Sequence, residues 1–102
     1  MKRRRIENRR SSQTIEVVFR GKIHTVNYHR DADGIIREVF IRTPKTSSQG
    51  EDDARDVAVI LSIALQYSAP LEVIRDALTR FDDGSAAGIG GAVLDALAGE
   101  PI

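Results

Sequence analysis

The sequence contains no cysteine and no tryptophan, a single methionine and three prolines, and only 5% of its residues are aromatic. Without a thiol the chain forms no disulfide, runs no thiolate chemistry and builds no cysteine zinc site. Long apolar runs are also missing. The longest, Val57–Leu65, is broken only by Ser62. At about 1.5 Å of helical rise per residue, with charges close on both sides, it is too short to span a bilayer. The basic N-terminus leads into no apolar segment of the secretory type, so the expectation is a cytoplasmic protein with no membrane association.

What is present is ordinary globular material. The 102 residues suit one domain with a modest core, and 41% hydrophobic and 29% charged residues are typical of a folded protein. The formal net charge is zero, but it is unevenly spread. Residues 1–10 set Lys2, Arg3, Arg4, Arg5, Arg9 and Arg10 against Glu7 alone, which makes this segment +5 and the remainder −5. A basic arm on an acidic body raises the question of nucleic acid. Clustered Lys and Arg neutralise phosphates in a salt-sensitive way. The same arm also reads as a solvated, disordered tail, and it has no aromatic residue on which a base could stack.

The chain is organised around Ala54–Leu65, ARDVAVILSIAL. A helix apolar on nearly every side is a buried helix, so this segment is the expected centre of the core. Before it, TIEVVF (14–19), IHTVNY (23–28) and IIREVFIR (35–42) are β-branched and aromatic and read as strands. They are separated by turns at Arg20-Gly21 and Asp31-Ala32-Asp33-Gly34. Antiparallel pairing places Val18 opposite Ile23, Val17 beside His24 and Ile15 beside Val26. Strand three has Ile36 and Phe40 on one face and Ile35, Val39 and Ile41 on the other. Apolar residues on both faces imply that the second face is also covered, most economically by a second copy, so a homodimer is expected.

Ser48 and Glu51 have the spacing of a capping box, and Asp52, Asp53 and Asp56 complement a helix N-terminus. Pro70 suits the first turn of a second helix with a Leu71, Ile74, Ala77, Leu78 stripe; there Glu72, Arg75, Asp76 and Arg80 are expected to face water. A third helix is expected over Ile89–Ala98, stopped by Gly99 and Pro101. The fold class is therefore α+β: a three-stranded antiparallel β-meander packed on a buried central helix plus two further helices, βββααα. A basic arm occupies residues 1–12 and the domain residues 13–102.

Motifs that could carry chemistry fail on their spacing. Asp31, Asp33 and Gly34 resemble part of a calcium loop, but its remaining ligand positions hold His29 and Phe40. Gly88-Ile89-Gly90-Gly91 lacks the third glycine of a dinucleotide fingerprint, where Val93 stands, and follows a turn where that fingerprint follows a buried strand. His24 and His29 lie apart from any recognisable carboxylate partner and read as packed or surface residues, with an enzyme using either of them the least favoured reading. No nucleophile, base and orienter set is evident, so no catalytic residue, cofactor or metal site is expected.

DGIIREVFI (33–41), LSIALQYSAPLEVIRDAL (61–78) and LDALAGE (94–100) together resemble the TSCPD domain, found at the C-terminus of adenosylcobalamin-dependent ribonucleotide reductases and in short stand-alone proteins. Glu38 and Phe40 match its third strand, Ser62–Leu65 its helix and Ala69–Glu72 its turn. The signature Thr-Ser-Cys-Pro-Asp falls near Gly91–Asp95, here GAVLD, so only the aspartate remains. The resemblance implies an α+β accessory module, not a reductase, binding a partner protein or nucleotide in a ribonucleotide-reductase setting. The stand-alone members often carry a basic arm as well. The alternative is a small nucleic-acid-binding regulator acting through Lys2, Arg3, Arg4, Arg5, Arg9 and Arg10.

Overall fold

In the computed structural model the described residues are Arg3, 12–44 and 48–101, without the side chains of Ser48 and Gln49. Strands β1 (Ser12–Phe19), β2 (Lys22–Arg30) and β3 (Ile36–Arg42) form an antiparallel sheet in the order β1-β2-β3. Helices α1 (Ser48–Gln66), α2 (Leu71–Ala77) and α3 (Ile89–Ala98) follow, giving the expected α+β arrangement. The first hairpin has the anticipated register, with Val18 opposite Ile23, Val17 opposite His24 and Ile15 opposite Val26. Its two-residue loop places Arg20 at φ 52° and Gly21 at φ 75°, the pair of positive φ values that a type I′ turn requires. In the second hairpin Asp31 Oδ1 accepts from the N–H groups of Asp33 (2.9 Å) and Ile35 (3.0 Å), so the aspartate serves the turn.

One face of the sheet makes the core. Val17, Val26, Tyr28, Val39 and Ile41 pack on Ala54, Ala58, Leu61 and Leu65 of α1 and on Val93, Leu94 and Leu97 of α3. A register irregularity between His29 and Arg30 lies beside Ile36, which is buried although Phe40 of the same strand is exposed. An extra residue in one strand re-aims neighbouring side chains in this way.

The central helix is not buried on all sides in the single chain. Ala54, Ala58, Leu61 and Leu65, spaced i, i+4, i+7 and i+11, face the core, whereas Val59, Ile60 and Ile63 are exposed. The reason is the width of the sheet. Three strands cannot surround a helix, and α1 lies along the outer edge of β3. There Ser62 Oγ accepts from Val39 N (2.9 Å) and donates to Val39 O (3.0 Å), so one hydroxyl satisfies both free backbone groups of an edge residue. Arg37, also buried, donates from Nη1 to the Leu65 carbonyl (2.8 Å) near the C-terminal end of α1 and pairs through Nε with Asp31 (2.9 Å). Burial works against the Asp31 carboxylate, but its hydrogen bonds to Arg37 and the Ile35 and Asp33 amides hold its pKa below the ordinary value.

After α1, Ser68 adopts φ 71°, and the N–H groups of Ser68 and Ala69 donate to the carbonyls of Leu65 and Ala64. This is a Schellman ending with serine where glycine is usual. Pro70 then precedes α2 in the extended conformation. Leu71, Ile74 and Leu78 pack against the core as expected, while Ala77 is exposed. The proposed cap at Ser48 lies outside the described side chains.

Candidate binding groove

An open groove of about 1000 Å³ runs between the outer face of the sheet and the exposed side of α1. Its apolar wall comes from Ile23 and Phe40 on the sheet and Val59 and Ile63 on the helix, all well exposed. These residues meet because Ile23 and Phe40 point away from the core by strand alternation, and Val59 and Ile63, four apart, share one side of α1. Glu38 and Arg42 line the groove from the sheet, and Glu51 and Arg55 from α1. Glu51 and Arg55 are paired at 3.3 Å on an exposed surface, a contact of small energetic value. His29, opposite Glu38 in the strand register, packs edge-on against Phe40 with ring centroids 5.8 Å apart.

Arg3 also lines this groove, and its Nε donates to Oε1 of the buried Gln66 at the end of α1. Among residues 1–10 it is the one whose place is described. Lys2, Arg4, Arg5, Arg9 and Arg10 lie outside the described residues. His24 is buried on the inner face, and its Nδ1 is 3.2 Å from the Thr43 hydroxyl. The two histidines are therefore on opposite faces of the sheet and form no joint site. Among the described residues there is no cluster of three or more His, Asp or Glu side chains that could hold a metal ion. Among the described residues no helix is long and apolar enough to cross a membrane.

Two arginines are placed differently from the sequence expectation. Arg75 and Arg80 do not simply face water: both converge on Asp95 of α3, Arg75 through Nε at 2.6 Å and Arg80 through Nη2 at 2.7 Å and Nη1 at 3.0 Å. Arg80 also donates to the Gly84 carbonyl at 3.0 Å. Asp95 thus ties α2 and the 80–86 turn to α3. The Arg80 hydrogen bonds, opposed by partial burial and reinforced by Arg75, lower its pKa to about 2. Helical wheel reasoning within α2 could not find this pairing, because the acceptor lies 15 to 20 residues away. Nearby, a Cβ on Gly91 would come within 3.0 Å of the Ala86 side chain, so the turn packs too closely on α3 for a larger residue there.

The antiparallel βββ sheet with three trailing helices and an open groove defines a small α+β module. More particularly, the model of the TSCPD domain matches residues 2–99, and the chain belongs to that family. No curated protein and no solved structure matches it. Asp95 has a structural task in this chain as the clamp on Arg75 and Arg80.

Proposed function

We propose that the chain is a non-catalytic accessory module that docks a partner protein in the groove between β3 and α1, in a ribonucleotide-reductase setting. The observation that carries this reading is the gathering of Ile23, Phe40, Val59 and Ile63, exposed, in one groove flanked by charges of both signs. An apolar floor with a polar rim is the usual composition of a protein contact. Reductase chemistry is not assigned, because this chain offers no cysteine for it. A second copy is the first partner to test, since the outer sheet face also exposes Val18.

Light scattering on the full chain and on Phe40→Ser, followed by titration with a ribonucleotide reductase, tests the reading. A dimer that dissociates in the variant identifies a second copy as the occupant. A monomer whose binding to the reductase weakens at least tenfold in the variant identifies that enzyme as the partner. A monomer indifferent to the reductase sinks the proposal.

The alternative, a nucleic-acid contact through the arm, is favoured by the +5 charge of residues 1–10. Binding to duplex and single-stranded DNA at two salt concentrations, with and without those residues, tests it. Salt-sensitive binding lost on truncation supports this alternative, and no binding at low salt removes it.

A further inference from the structure

Helix α2 and its C-cap carry the apolar stripe Leu71, Ile74 and Leu78, yet none of the seven residues of the helix is buried. The helix packs on α3, with Arg75 paired to Asp95 at 2.6 Å, and leaves a slot of about 450 Å³ between itself and α1. Val57, Ile60 and Ala64 of α1 form one wall of this slot, and Ile74 and Leu78 form the other. Its floor is the backbone of α3. Val57 and Leu78 come down on the buried Gly90 so closely that a Cβ there would lie 3.2 Å from one and 3.4 Å from the other. Glycine therefore lets the two walls meet at the floor. The mouth is marked by Ile60, which is 66% exposed.

No charged residue lines the slot, and Thr79 supplies its one polar side chain. Each property removes a class of occupant. A charged group would lose its hydration and gain no counter-ion. An extended peptide would bring N–H and C=O groups that one hydroxyl cannot satisfy. A helix satisfies its own backbone, but the seven residues of α2 make a wall only about 10 Å long, too short to seat a helix of several turns. What remains is a compact molecule without charge. Apolar walls that face each other across a gap leave dispersion contacts unmade, and a ligand of matching chemistry supplies them. The volume falls within the usual range of small-molecule sites, which often lie between helices.

We propose that this slot binds a small uncharged apolar ligand, of the class of a simple aromatic ring or a short aliphatic chain. The side chains of α1 sort between two sites: Val59 and Ile63 line the groove, whereas Val57, Ile60 and Ala64 line the slot. Either site can therefore fail without the other.

The test is titration of the full chain with toluene and, as a charged counterpart of similar size, benzoate, followed by methyl chemical shifts. The expected result is saturable toluene shifts at Val57, Ile60 and Ile74, with benzoate at least tenfold weaker. Ala64→Leu fills the slot from its α1 wall and is expected to abolish those shifts, with the thermal midpoint of the free chain unchanged or raised. Ile60→Gln acts at the exposed mouth, where it does not threaten the fold, and is expected to weaken toluene binding at least threefold. Toluene affinity equal in the wild type and both variants overturns the proposal. So do benzoate binding as tight as that of toluene, shifts confined to Val59 and Ile63 in the groove, and the absence of any saturable shift.

Discussion

The two faces of the same sheet have opposite fates. On the inner face Val26, Tyr28 and Val39 are almost wholly removed from water. On the outer face Val18, Ile23 and Phe40 are each more than half exposed, although they come from the same strands and are equally apolar. The lesson is that strand composition records how many faces are meant to be covered, while a single chain has helices enough for only one of them. In the reading proposed above, a docked protein covers the outer face.

Substitutions sharpen that contrast. Val26→Ala on the inner face is expected to cost about 2–3 kcal/mol, by the transfer and cavity terms of a fully buried site, read from the denaturant midpoint. Ser62→Ala comes next, at about 2 kcal/mol, because it leaves Val39 N–H and C=O unpaired in a buried position; faster amide exchange at Val39 locates the effect.

Asp95→Asn is expected to cost about 1 kcal/mol, reduced from a fully buried value because the carboxylate is partly solvated. Its pKa is depressed from 3.8 to about 2. The Asp95 contribution is therefore complete above about pH 4 and is lost as pH falls through about 2. A pH series comparing wild type with the variant should converge at the acid end. Ser68→Gly relieves the left-handed serine and is expected to gain about 0.5–1 kcal/mol in thermal melts. Val18→Thr on the outer face changes stability by less than about 0.5 kcal/mol. If it costs as much as Val26→Ala, the outer face is already covered in solution and the contrast between the faces collapses.

Much of the fold was legible because local signals agreed. Alternation set the strand register, Gly21 and Gly34 marked the turns, and the apolar residues of 89–98 marked α3 to the residue. The burial of α1 was read too strongly, since an all-apolar segment looks the same whether its neighbour is its own core or an absent partner. Ser62 looked like an interruption of that run and is instead the residue that ties the run to the sheet. The Arg75–Asp95–Arg80 cluster was invisible because its members are brought together only by the third dimension.

The Ser62 contact gives the sheet a direction of growth. With α1 lying along β3, a strand cannot readily be added on that side. At the opposite margin, the outward backbone groups of Thr14, Glu16 and Val18 have no partner among the described residues. Any association that extends the sheet must therefore begin at β1, and two copies joined there would share one continuous six-stranded sheet, with the two α1 helices at its far ends.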